Sequence, residues 1–293
     1  MSNRSGGRAA IQLKTLPADR EFGRKQAWND SCFTPRTTME TSPSLNLLDL
    51  ASPAPANSSS DVLTEPAINL PLPSQLRIAT KQSAQFGAGG DFFEVFQHAD
   101  GRVSAVVADV CGNGSAAAQV AARIRPFLHA SLMRGDSPGA VLATFNDGLV
   151  RLELADRFVT AVAVRVDVEA GVAVIACAGH LGPFLRRASG RVCAIDRAMG
   201  VPLGLLAGES YDEVTLKVEP DDALVLVTDG VTDPLSTDGD PLGEEALSRR
   251  LERARHATID ICETLLVTGT NDRDDATVVV LHLPTRTAAP IAA

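Results

Sequence analysis

A chain of 293 residues and 30.7 kDa holds one large domain or two small ones; with 45% apolar but only 4% aromatic residues, its core must be built from Val, Leu, Ile and Ala. A net charge of −9 and a pI near 5.1 argue against nucleic acid as the main partner, because phosphate backbones are bound by clustered Lys and Arg. Five widely spaced cysteines without a CxxC pair, no apolar run near the roughly 18 residues that span a bilayer, and no apolar core of a secretory signal lead to an expectation of a soluble cytoplasmic protein with no membrane partner.

From Met1 to about Pro73 no sustained periodicity is found, and stretches such as SPAPANSSSDVLTEP cannot bury enough surface to offset the entropy of ordering. Residues 1–73 therefore read as a disordered N-terminal tail, with SLNLLDLA (Ser44 to Ala51) an isolated apolar patch within it. A domain is expected over 74–284, followed by a disordered C-terminal tail at 285–293.

Inside the domain, LRIATKQ alternates as a strand, and GGDFFEVFQHADGRVSAVVAD reads as a hairpin turning at Asp100-Gly101. Ser115 to about Arg134 is predicted helical, with Pro126 kinking or dividing it. Ser137-Pro138 suits the cap and first position of a second helix, whose Val141, Leu142, Phe145, Leu149 and Leu152 share a face. FVTAVAVRVD, GVAVIACAG and PFLRRASGRVCAI are predicted to form a meander continued by YDEVTLKVEP and DALVLVTDG. Two helices, EEALSRRLERARH and ATIDICETLLV, precede a final strand, ATVVVLHLP. Runs of strands interrupted by paired helices predict an α+β layered fold, not a parallel dinucleotide-binding sheet.

Three acidic positions share one design. Asp109 and Asp229 end apolar strands, and Asp274 or Asp275 begins one; in antiparallel neighbours such positions share an edge. Asp91, after Gly89-Gly90, is a fourth candidate. Carboxylates gathered there repel one another and raise one another's pKa values unless cations bind, and hard oxygen ligands suit Mg²⁺ or Mn²⁺. Taken singly, each position also reads as an ordinary turn, bulge or solvated loop.

The ordered set GAGGDFFEVF, ADVCGNGSAAA, CAGHLGP, GVPLGLL, LVTDGVTD and RDDATVVVL resembles the PPM-type protein serine/threonine phosphatases, in the bacterial group similar to the sporulation stage II phosphatase E domain. The resemblance covers about Leu76 to Leu283. It implies a four-layer α/β/β/α sandwich of two antiparallel sheets flanked by helices, with two Mn²⁺ or Mg²⁺ ions at one edge. It also implies Asp91, Asp109, Asp229 and Asp274 as metal ligands, with the Val110 carbonyl, and Asp109 as the bridging candidate. A metal-activated water would then attack phosphoserine or phosphothreonine in line, so that Cys111 is no nucleophile.

Several residues depart from the family pattern. Glu94 replaces the usual Asp and is expected to alter a hydrogen bond around the site more than a ligand. Cys111 replaces a Ser, and Asn113 replaces a His or Lys, which removes a cation near the substrate. His180 is expected to stabilise a turn, and the other histidines to lie in surface or packing positions. The resemblance points to a phosphorylated protein partner such as a bacterial anti-sigma-factor antagonist, switched in signal transduction. The competing readings are a low-activity binding module on a phosphatase scaffold and a hydrolase of small phosphate esters.

Overall fold

The computed structural model describes residues 76–83, 89–154, 157–232, 243–255, 258–267 and 275–283. The expected tails and the Ser44–Ala51 patch lie outside these residues.

In chain order the elements are β1 (Arg77–Ser83), β2 (Phe92–Gln97), β3 (Val103–Val110), α1 (Gly114–Met133), α2 (Pro138–Arg151), β4 (Val159–Asp167) and β5 (Val172–Ala178). After these come β6 (Phe184–Arg186), β7 (Val192–Ala194), β8 (Met199–Gly200), β9 (Val214–Lys217), β10 (Ala223–Val227), α3 (Gly243–Arg253), α4 (Thr258–Val267) and β11 (Ala276–His282). One sheet runs β2-β3-β4-β5, with β8 and β9 both on β5; the other runs β1-β11-β10-β6-β7. Pairing is antiparallel except for the two-residue step of β8 on β5.

The central strands β3, β10 and β11 read as near-continuous apolar runs because each sheet is covered on both faces. In β3, Val106, Ala108 and Val110 pack under α1 and α2 with Ile124, Leu128, Leu142 and Phe145, whereas Val103, Ala105 and Val107 face the other sheet. In β10, Leu224 and Leu226 meet them there, while Val225 and Val227 turn outward to Leu247, Leu251, Ile261 and Leu265 of α3 and α4. Period-2 alternation thus separates three cores stacked between four layers, as the resemblance implies. No helix among the described residues is long and apolar enough to cross a membrane.

Three expectations change in detail. α1 continues as one helix through Pro126 instead of dividing there, its buried Ala117, Ala121, Ile124, Leu128 and Leu132 holding it to the sheet. Ser137 stands at the cap of α2, with Pro138 first in the helix, but its hydroxyl makes no capping bond. Instead the Gly139 N–H donates to Glu213 Oε1 at 2.7 Å. The expected meander is split between sheets: β5 pairs β4 and β9, while β6 and β7 form a hairpin in the second sheet. The turn at Asp100-Gly101 is as expected, closed by His98 N–H to the Arg102 carbonyl at 2.8 Å.

Two buried polar side chains stand out, and the first ties two elements together. Arg186, at the end of β6, donates from Nε to the Leu251 carbonyl at 2.8 Å and from Nη2 to the Ala254 carbonyl at 2.9 Å, satisfying the last turn of α3. Tyr211, the single tyrosine of the chain, lies under Gly200 with its hydroxyl buried and no hydrogen-bond partner among the described residues. Burial pushes its phenol up to about 12, with Glu209 and Asp147 acting in the same direction.

Candidate functional site

Sheet register carries the acidic residues to one edge. Asp91 immediately precedes β2 and Asp109 is the penultimate residue of β3; because Phe92 pairs with Ala108, the two acids are neighbours across the start of that ladder. Asp229 follows β10, exposed at the start of a short turn, Asp229–Val231, that ends on the buried Val231, and Asp275 immediately precedes β11. A Cβ on Gly230 would fall 1.9 Å from the Asp275 carbonyl oxygen, so the Asp229 turn packs directly on the Asp275 backbone.

Gly90 joins the two sheets at this edge. Its N–H donates to Asp275 Oδ2 at 3.0 Å, and its carbonyl accepts the Val110 N–H at 3.3 Å. A Cβ at this position would lie 2.7 Å from the Val110 carbonyl oxygen and 3.1 Å from Asp109 Oδ1, so only glycine allows the approach.

Asp91 is held by residues of the opposite sheet. The Thr228 and Thr277 hydroxyls donate to its Oδ2 at 2.6 and 2.9 Å, and the Thr277 N–H donates to Thr228 Oγ1 at 2.9 Å. Burial pushes the Asp91 carboxyl up to about 8, against the two threonine hydroxyls, and the charges of Asp109 and Asp275 add to the rise. A carboxylate so placed is stabilised by a hard cation, and the oxygen-only donors Asp91, Asp109 and the Val110 carbonyl suit Mg²⁺ or Mn²⁺. Among the described residues, no three His, Cys, Asp or Glu side chains form a group that could by itself hold an ion. Asp274, the remaining expected ligand, lies outside the described residues. Its neighbour Asp275 is buried and engaged by Gly90.

The loop after Asp109 is pinned from the segment before β4. Arg157 Nη1 donates to the Cys111 carbonyl at 2.7 Å, and the Cys111 N–H donates to the Phe158 carbonyl at 2.9 Å. Gly112 has φ +106°, and a Cβ there would meet the Arg157 guanidinium at 2.3 Å. Asn113 stands exposed at the start of α1, without a side-chain capping bond.

Glu94 is turned away from this edge: it pairs with Arg125 and lies 3.3 Å from His129 Nδ1, tethering α1 to β2. His180 does more than stabilise its own turn. It is buried between the sheets, 2.9 Å from Thr160 Oγ1 and 3.1 Å from the Val227 carbonyl oxygen, and burial lowers its pKa to about 4. His98 and His282 are packing residues, bonded to Ser104 and Thr258.

The fold thus brings the expected Asp91, Asp109 and Asp229 to one edge, beside Asp275, whereas Thr228, Thr277 and Arg157 were missed by sequence reasoning. The two threonines had a signal, since a hydroxyl residue adjoins or closely follows an acid at each strand end, in VTDG and DDAT. Arg157 had none; its contact with Cys111 spans 46 positions.

Comparison with known proteins agrees with this fold. The family model for stage II sporulation protein E matches residues 99–284. The phosphoserine phosphatase RsbP of Bacillus subtilis is 27% identical over 179 residues, covering 60% of this chain but only 43% of RsbP. The structure of the RsbU and RsbW domains of Rv1364c from Mycobacterium tuberculosis is similar with a TM-score of 0.62 at 25% identity, over 72% of this chain and 61% of that one. RsbX, solved in complex with magnesium, shares the fold with a TM-score of 0.58 at 19% identity, over 72% of this chain and 96% of RsbX. With its strand-end acids gathered at one edge of a two-sheet sandwich, this chain belongs to the stage II sporulation protein E family, within the PPM-type phosphatases.

Proposed function

We propose that the chain is a metal-dependent phosphoprotein phosphatase that hydrolyses phosphoserine or phosphothreonine by attack of water. The observation that supports this most is the Asp91–Asp109 neighbour pair at the start of the β2–β3 ladder: burial first, and then the Asp109 charge, disfavour the Asp91 carboxylate, and a divalent cation offsets both. Asp91, Asp109, the Val110 carbonyl, Asp229 and Asp274 are the proposed holders of Mn²⁺ or Mg²⁺, two ions in all. Bound there, such ions supply acidification of a coordinated water and compensation of charge on phosphoryl oxygens. The chain's own part is positional. Thr228 and Thr277 orient Asp91, Gly90 holds Asp275 against the first sheet, and Arg157 fixes the turn that follows Val110.

The proposed substrate is a phosphorylated signalling protein of the anti-sigma-factor-antagonist kind. RsbP is named a phosphoserine phosphatase, and Rv1364c joins an RsbU to an RsbW domain. We place the protein in the cytoplasm, on its cysteine spacing and acidic composition.

Mn²⁺-dependent release of phosphate from a phosphoserine peptide tests the proposal. Asp109→Ala and Asp229→Ala are each expected to abolish turnover while leaving cooperative unfolding intact. Near-normal turnover in both, with unchanged Mn²⁺ affinity, would sink the metal-centred reading. Equal rates on small metabolite esters would replace the protein substrate with a small one.

A further inference from the structure

His180 plays no part in the chemistry proposed above, yet it is only 4% exposed and lies at the seam between the two sheets, beside the acidic edge. A carbonyl oxygen only accepts, so the 3.1 Å contact with Val227 requires the proton on Nε2. Nδ1 then accepts from the Thr160 hydroxyl at 2.9 Å. With both ring nitrogens engaged and the ring buried, the imidazole has no proton to exchange with a substrate.

Each bonded atom adjoins an acid of the site. Thr160, in β4, is the register partner of Asp109 across the β3–β4 ladder. Val227 ends β10 and is followed by Thr228, whose hydroxyl holds Asp91, and then by Asp229. The pairing of β6 with β10 stops at Val225 and Phe184, so the imidazole takes up a carbonyl beyond that ladder. Its own backbone is anchored just before, where the Gly179 N–H donates to the Gly200 carbonyl at 2.8 Å.

We propose that His180 is a positioning residue: one neutral imidazole, bonded to both sheets, sets the spacing between the strand ends that carry Asp109 and Asp229, and thereby the affinity of this edge for a divalent cation. The proposal rests on the metal-centred reading above. It assigns His180 an effect on ion binding that a residue merely filling space would not have.

The test is calorimetric titration of the full chain with Mn²⁺ alone, on wild type, His180→Phe, His180→Gln and Thr160→Val. Phenylalanine fills the volume without hydrogen bonds. Glutamine restores an N–H donor and a carbonyl acceptor, and valine removes the hydroxyl at nearly constant shape. Far-UV circular dichroism and cooperative melting verify folding. His180→Phe and Thr160→Val are expected to bind Mn²⁺ about tenfold or more weakly, by analogy with other residues that orient metal ligands, and His180→Gln to recover most of the loss. In wild type, ¹⁵N spectra should show a protonated Nε2 and an unprotonated Nδ1 at neutral pH.

Wild-type Mn²⁺ affinity in folded Thr160→Val overturns the proposal, as do equal losses in the Phe and Gln variants or a wild-type chain that binds no Mn²⁺. The two readings fail differently. His180-dependent Mn²⁺ binding without phosphoester hydrolysis removes the phosphatase and keeps the positioning role. Hydrolysis with equal affinities across the four proteins does the reverse.

Discussion

At Asp91 two sets of forces oppose each other: burial and the charges of Asp109 and Asp275 favour the neutral acid, while two threonine hydroxyls favour the carboxylate. Asp91→Asn removes that conflict. In chelator-treated protein the variant should melt no lower than wild type, yet lose the gain that Mn²⁺ gives wild type, about 2.7 kcal/mol at a hundredfold excess over Kd. A gain equal to that of wild type would remove Asp91 from the metal site. His180 gives a prediction of a different kind. Burial lowers its pKa from 6.5 to about 4, so between these values the unfolded chain binds the extra proton. Stability from this group is therefore complete above pH 6.5 and is lost as pH falls toward 4, by roughly 3 kcal/mol. Urea midpoints of wild type and His180→Gln, compared at pH 7 and pH 5, should show a steeper acid loss in wild type. Parallel pH dependences would mean that the ring is not neutral and buried in solution.

Among the elements, the strands were the most legible in sequence, because a sheet covered on both faces needs uninterrupted Val, Leu, Ile and Ala, as in ALVLV and ATVVVL. Sheet membership was not legible. β6 and β7 are three-residue strands too short to show which sheet they join, and only long-range pairing of β6 with β10 places them in the other sheet. The site divides in the same way. The acids were visible because each sits where an apolar run begins or ends. The groups that hold them were not, because Thr277 reaches Asp91 across 186 positions and Gly90 reaches Asp275 across 185. Arg186 shows what such a contact contributes to an element, since it supplies donors to the end of α3 from a strand 65 positions earlier. Arg186→Met should leave the Leu251 and Ala254 carbonyls buried without those donors and cost about 2–5 kcal/mol in urea unfolding, with Arg186→Lys intermediate. Loss of less than about half a kilocalorie per mole, the scale of an ordinary surface substitution, would show that water replaces the guanidinium.

On the scale of the whole molecule, three cores built mostly of aliphatic side chains, with Phe145 and Phe184 buried among them, make four layers whose strand ends are brought to one edge. Tyr211 is buried there too and carries a polar group into the core. It is the only tyrosine in 293 residues, and its phenol is held up at about 12 by burial, whereas an unfolded phenol ionises near 10. As pH rises through this interval, the unfolded chain gives up its phenolic proton first and the fold loses stability. Each molecule that opens in alkali therefore releases the phenolic proton and gains one tyrosinate chromophore. The ultraviolet absorbance step should coincide with the loss of circular dichroism, and its height counts unfolded chains without an added dye.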